Sequence, residues 1–474
     1  MEKENSVRMN KMGTSKISRL LLAMGLPMIV SMALQAVYNI VDSYFVSCMK
    51  DTAEIAGMGD YGVNALTLAF PVQMLMVAIG VGTGVGINAL LSKSLGEGNR
   101  EKAGRIAGNS VFIGLCMYVV FLLFGFFGVD AYINSQTNDP VIIQMGTSYL
   151  RICCVYSLGV SMYMTYEKLL QATGKTAQST IAQIVGALVN IVLDPIMIFG
   201  WCGLPEMGIE GAAYATVIGQ TVSFILDAVF HYVYNKSEFD TSLKLIRPKA
   251  RIIKEIYQVG IPAILMQALM SFMTYGVNII FINVSPAAVT AYGVYYKIQQ
   301  FVFFAAFGMN NAMIPVIGFN YGMGDRKRVN DGIKYGMAYT LIIMLIGAVG
   351  LQIFAEPLVG IFAVSAETQA LCVKAIRIVT LGYLFVGANI AFQGIFQALG
   401  NGVRSLIISL IRLIIVALPL AWVFTLFDGA ENLIWIAFPI AEAAALVVAL
   451  IFMKQINSSK IRKMTEKEES VCAE

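Results

Sequence analysis

Three polar side chains, Gln35, Asn39 and Asp42, recur at helical spacing inside an apolar run from about residue 19 to 47. One helix would present them on a single face. Asn190 and Asp194, four residues apart in another apolar run, project from one face in the same way. A carboxylate in such a segment is costly and normally faces a bundle interior or a watery cavity. The chemistry open to it there is the uptake and release of a proton or a small cation. The competing place for Asp42 is a solvated one at the far membrane interface. Asp194 precedes Pro195, which predicts a bend at the acid and carbonyls freed for an ion. Glu167 is divided equally between cavity and interface, and Asp227 and Glu442 are assigned to interfaces or structural pairs.

The elements that must carry these groups follow from composition. The chain has 474 residues, 58% hydrophobic and 13% charged, with mean hydropathy +0.72. Soluble domains are nearer half apolar and a quarter charged, so this is an integral membrane protein. The apolar runs are too long and uniform for barrel strands, whose residues alternate. About twenty apolar residues cross the hydrocarbon core as a helix. Windows at about 19–47, 61–91, 103–128, 140–167, 177–201, 208–234, 255–283, 287–319, 333–355, 368–398, 403–427 and 433–454 give roughly twelve spans. The fold class is therefore all-α.

Basic loops alternate with acidic ones along the whole chain, which puts both termini in the cytoplasm of a multi-pass plasma-membrane protein. The net charge of +4 resides in these short loops, which argues against nucleic acid as a partner. Seven scattered cysteines, an odd count without metal-ligand spacing, predict neither disulfides nor a zinc site. The first apolar run is too long for a signal-peptide core and reads as an uncleaved span.

The chain repeats itself. Leu95-Gly96-Glu97-Gly98-Asn99-Arg100 returns as Tyr321-Gly322-Met323-Gly324-Asp325-Arg326. Leu150-Arg151-Ile152 returns as Ile376-Arg377-Ile378, and Gln171-Ala172-Thr173-Gly174 as Gln397-Ala398-Leu399-Gly400, all at one offset. Gly25-Leu26-Pro27 has its counterpart in Gly260-Ile261-Pro262. Six spans per repeat give two halves of like orientation, the parallel arrangement found in secondary transporters. The organisation expected is a tail at 1–18, an N-lobe at 19–234, a linker at 235–254, a C-lobe at 255–457 and a tail at 458–474. The basic linker is equally readable as a solvated loop.

Other motifs exclude functions. The glycines from Gly80 to Gly86 lie inside an apolar run and suit close helix packing better than a nucleotide loop. Gly174-Lys175-Thr176 lacks the earlier glycine of a phosphate loop, Leu169 standing in its place, so no ATP is expected. The single histidine, His231, is expected at a surface or interface, and it leaves no histidine triad or zinc motif. No enzyme is expected. The second half has no acid in its seventh span from Gly260 to Val284, and Lys297 sits mid-span in the eighth among Tyr292, Tyr295, Tyr296, Gln299 and Gln300.

The two six-span halves, the early Gly-Leu-Pro span ending in Tyr38-Asn39-Ile40-Val41-Asp42, and the repeated Gly-x-Gly-[Asn/Asp]-Arg loop resemble the multidrug and toxic compound extrusion (MATE) transporters. Gln171-Ala172-Thr173-Gly174 and the stretch from Ala291 to Lys297 look most like the DinF-related branch and its MepA-like exporters. The resemblance implies a V-shaped pair of six-helix bundles that rock between outward- and inward-open states. It also implies cation-coupling residues in the N-lobe, mapping to Asp42, Gln35, Asn190 and Asp194. Some relatives have an asparagine where Glu167 stands. NorM-type relatives use acids in the seventh and tenth spans, which this sequence lacks.

The function expected is an antiporter that exports lipophilic organic cations and is driven by protons or sodium. Protons are favoured, and sodium would sit at Asp42, Asn190 and Asp194. Proton and cationic substrate would compete for one negative site. Pocket candidates are Lys297, Tyr296, Gln299, Met266, Met270, Met273, Tyr275, Phe301 and Phe304, since thioethers and rings accommodate varied shapes and rings attract cations. For each of them, taken singly, ordinary helix packing is the stronger reading. The partners are small cationic molecules and the bilayer; no cofactor is expected, and the chain is expected to act as a monomer. The other reading is a flippase for lipid-linked precursors, kept open by Arg151, Lys297, Arg377 and Arg412.

Overall fold

The computed structural model describes residues 10–51, 57–362 and 364–464. Every regular element among them is helical. A bilayer core offers no partner to an exposed N–H or C=O, so a chain of this composition satisfies its backbone within helices. Among the described residues eleven helices are long and apolar enough to cross a membrane, and the bent pair Pro140–Val155 and Leu158–Ala172, taken as one span, makes twelve. The spans are Ile17–Ser47, Met58–Gly96, Arg100–Phe127, the bent pair, Thr176–Ile198, Ile209–Tyr234, Ala250–Ile282, Pro286–Met323, Arg326–Gly360, Ala366–Ala398, Gly402–Phe424 and Ala430–Met464. They coincide with the twelve apolar windows.

The internal repeat is visible in local chemistry. The fourth span bends by 46° between Val155 and Leu158, and the tenth is interrupted at the corresponding place by the turn Thr380–Gly382. Asp139 caps the fourth span by accepting from Val141 and Ile142, and Ser365 caps the tenth by accepting from Thr368. Arg151 pairs with Asp130 at 2.5 Å, and its counterpart Arg377 pairs with Glu356 at 3.1 Å. Both pairs are largely exposed and contribute little to stability. In the repeated loop the two glycines have separate tasks. A Cβ on Gly96 would run into the Phe319 carbonyl, and one on Gly322 into the Lys93 carbonyl. Gly98 and Gly324 hold φ of +67° and +83°, where a side chain is strained.

Contacts divide the chain into two compact units. The amino-terminal unit holds Val30–Leu91 and Arg100–Lys254; the carboxy-terminal unit holds the residues up to Ile29, Ser92–Asn99 and those from Glu255 onward. The core of the first is built on Val46, Phe121, Tyr149, Leu150 and Ile198. That of the second is built on Phe281, Tyr292, Tyr383 and Trp435, with the Phe281 and Trp435 rings edge-on at 5.0 Å.

The segment 235–254 is anchored at several points, while Lys236, Lys244, Arg247 and Lys249 are exposed. Asn235 is fully buried and donates to the Leu169 carbonyl, while Thr173 donates to its side-chain oxygen at 2.8 Å. The Lys249 amide donates to Asn109 of the third span at 2.7 Å. Gly104 and Gly108 of that span leave room for the Asp240 and Leu245 backbones. Of the two places expected for His231, surface or interface, the surface is excluded: it is 3% exposed, edge-on to Tyr166 at 5.2 Å and 3.0 Å from the Asn235 amide.

Candidate functional site

In the amino-terminal unit the first, fifth and sixth spans bring four polar side chains together. Asn190 donates to Asp194 Oδ1 at 3.3 Å and reaches the Thr216 hydroxyl at 3.4 Å. The Tyr38 hydroxyl lies 3.3 Å from that of Thr216. Asp42, one turn beyond Tyr38, acts electrostatically on Asp194, and both acids act on Tyr38. The sixth span can approach because Gly219 and Gly186 carry no side chain: a Cβ on Gly219 would stand 2.9 Å from that of Asn190.

Burial makes the cluster expensive. Asp194 is fully buried, Asn190 2% exposed and Asp42 8% exposed. One oxygen on each, Asp42 Oδ1, Asn190 Oδ1 and Asp194 Oδ2, has no hydrogen-bond partner among the described residues. A buried acceptor left so costs about 1–3 kcal/mol, and more when charged. Asp194 also lies one turn before the carboxy-terminal end of its helix at Ile198, where the helix dipole is negative. Among the described residues no cationic side chain is paired with either acid. The helix expected to bend at Pro195 is a continuous element to Ile198. Nearby, Gln73 donates to the Tyr149 hydroxyl at 3.2 Å, and Asp42 acts electrostatically on Tyr149 as well.

The other members of the predicted stripe are placed differently. Gln35 is exposed, and the Asn39 side chain lies outside the described residues. Glu167 belongs to a second cluster, where it accepts from Lys168 at 3.3 Å and from Gln171 at 2.6 Å. Lys168 also donates to Gln171 at 2.9 Å and is 5% exposed, far from the loop cation its position suggests. Its stem lies against Gly84, where a Cβ would come within 2.6 Å of Lys168 Cγ. Asp227, fully buried, faces these two charges with neither oxygen hydrogen-bonded. No direct pair forms with it among the described residues.

The carboxy-terminal unit holds a cleft of about 670 Å³, counting the part open to solvent. Of the pocket candidates, Met270, Met273, Tyr296 and Gln299 line it. Lys297, Tyr275 and Phe301 are exposed instead, Phe304 is half-buried outside the lining, and Met266 is held by Gln397 at 3.8 Å. Lys297 has no hydrogen-bond or ion-pair partner among the described residues. Glu442 is the structural pair the sequence suggested: Arg412 donates to it at 2.8 Å and Asn389 at 2.8 Å.

Thr216, Tyr38 and Lys168 had no sequence signal as site residues. A lone hydroxyl in an apolar run is common, and a lysine at a run's edge reads as a loop.

A family model described as MatE matches residues 27–196 and 262–423. The chain is 23% identical over 439 residues to the multidrug export protein MepA of Staphylococcus aureus, covering 93% of this chain and 94% of that protein. Its fold is similar to the outward-facing structure of a multidrug resistance MATE family transporter of the MOP superfamily, with TM-score 0.87, 22% identity, and 98% and 99% of the two chains covered. It is also similar to a MOP superfamily transporter from Pyrococcus furiosus with a binding pocket of reverse polarity, with TM-score 0.86, 23% identity, and 96% and 98% covered.

Proposed function

The chain belongs to the MatE family, and from that membership we propose that it exports lipophilic organic cations in exchange for an inward-moving cation, protons before sodium. The family consists of membrane transporters, so the chain is a transporter and not an enzyme. The substrate class follows the name of the relative MepA, a multidrug export protein.

The observation that carries the reading is the pair of buried acids, Asp42 and Asp194, without a compensating cation and each with an oxygen left free. Such a site gains from any positive charge that enters. A proton converts a free acceptor oxygen into a hydroxyl and removes the negative charge. A lipophilic cation supplies the charge from outside and is held more weakly once the proton is there. Competition of this kind is what antiport requires, provided the site faces the two sides in turn. Sodium is the other occupant: Asn190 Oδ1 and the free carboxylate oxygens are the ligands a hard cation takes. With both termini cytoplasmic, as the loop charges imply, protonation from outside releases the substrate there.

The flippase reading has less support. It needs a cationic cavity for phosphate, but Arg151, Arg377 and Arg412 are each paired with an acid. Only Lys297 of that set is unpaired among the described residues.

Asp42→Asn and Asp194→Asn are each expected to abolish gradient-driven efflux of a permanently charged dye while the protein purifies as a folded species. Retained efflux in both variants would reject the site.

A further inference from the structure

The carboxy-terminal cleft contains a second polar arrangement that the coupling site does not use. Arg412 sits in a five-residue π-turn, Ile411–Ile415, in the middle of the eleventh span. Such turns interrupt a helix at a cost and often mark functional positions. The guanidinium is 6% exposed and lines the cleft. Its Nε and one Nη meet a single oxygen, Glu442 Oε1, at 2.8 and 2.7 Å. The other oxygen of Glu442 accepts from Asn389. Both carboxylate oxygens are thus occupied, whereas Arg412 Nη1 has no partner among the described residues.

The rest of the wall is aromatic and thioether. Tyr292, Tyr296, Phe303, Tyr383, Met270 and Met273 face the same space. Small-molecule sites bind a ligand on apolar walls and orient it by a few polar groups, and this lining has that composition. The charge count then selects the ligand. Arginine and glutamate cancel, so an anion would leave the cleft net negative and a cation net positive, each costly in an apolar, membrane-buried space. A molecule without net charge leaves the balance intact and can accept from Nη1.

We propose that this cleft is a second ligand site, one that takes flat aromatic compounds without net charge through an acceptor oxygen on Arg412. It differs in polarity from the acidic cluster of the amino-terminal unit, and it holds whichever ion drives transport. A charged pair in a core can often be replaced by apolar residues without loss of stability. That makes a double replacement a fair test.

The probe is prodan, an uncharged naphthyl ketone whose emission reports its surroundings, titrated into the full-length protein in lipid nanodiscs, with empty nanodiscs as reference. Saturable binding is expected. Removing both charges (Arg412→Leu with Glu442→Leu) should weaken it by about tenfold or more, the worth of a hydrogen bond to a charged donor. Arg412→Lys keeps the charge balance but withdraws Nη1, and should weaken it comparably; this variant decides if the double replacement does not fold. Asp42→Asn should leave prodan binding unchanged while weakening that of tetraphenylphosphonium. Unaltered prodan binding in Arg412→Lys, or prodan binding lost with Asp42, would overturn the proposal. Loss of tetraphenylphosphonium binding in none of the variants would instead count against the coupling site alone.

Discussion

At the scale of single residues, the account turns on which polar atoms are left without partners. Thr216 links Tyr38 to Asn190, and Asn190 in turn donates to Asp194. Thr216→Val keeps shape and removes the hydroxyl. It is expected to weaken binding of a lipophilic cation by about threefold to tenfold, the worth of an ordinary hydrogen bond, without lowering the melting temperature of the purified protein appreciably. Unchanged affinity would remove Thr216 from the site. On the proposed reading the acids set the pH dependence. A carboxylate that must be ionised to hold the cation loses it as pH falls, so affinity should decline by up to about tenfold per pH unit in the acid limb. In a titration of the purified protein, Asp42→Asn should flatten that limb. Asp42 and the Asn190–Asp194 spacing were legible in the sequence because an acid inside an apolar run stands out. Thr216 was not, since only the packing of the fifth and sixth spans brings it within 3.4 Å of Asn190. Lys168 gave no signal for a related reason: it lies at the edge of an apolar run, and only packing lays its stem against Gly84.

At the scale of elements, small residues decide which helices touch. Gly219 meets Asn190 and the Gly186 backbone so closely that no side chain fits between the spans. Gly219→Leu should force them apart, costing about 1–3 kcal/mol of overpacking and weakening cation binding together with thermal stability. Gly350, with nothing within 4 Å of its would-be Cβ, is the control. Gly350→Leu should leave both properties intact, and equal effects of the two substitutions would refute the packing argument. The twelve helices themselves were readable from hydropathy, because length and apolarity are all a bilayer asks of a span. Their irregularities were not. The π-turn at Ile411–Ile415 and the break at Thr380–Gly382 carry no composition signal. Nor did the docking of 235–254, since its basic residues suggest solvent, while Asn109 and the paired glycines of the third span accept its backbone.

At the scale of the whole molecule, the repeat yields two units whose polar interiors differ. The amino-terminal unit keeps two acids without a cation beside them, and the carboxy-terminal unit balances Glu442 with Arg412. On the readings proposed above, one motif set would serve two chemistries: exchange of positive charge in one unit, and neutral binding in the other. The asymmetry was partly visible beforehand, in the absence of acids from the seventh span. The Arg412–Glu442 pair joins positions thirty apart on separate helices, and no local pattern announces it.

The central claim is that a proton moving inward through the buried acids drives a cation outward. It is tested most directly with the purified protein in liposomes, using ethidium as a permanently charged dye and imposing a pH gradient in one set and a sodium gradient in another. The account predicts dye movement against the proton flow, absent from protein-free liposomes and from the Asp42→Asn/Asp194→Asn variant. Movement driven by sodium alone, or a pH-driven flux that survives the loss of both acids, would contradict it.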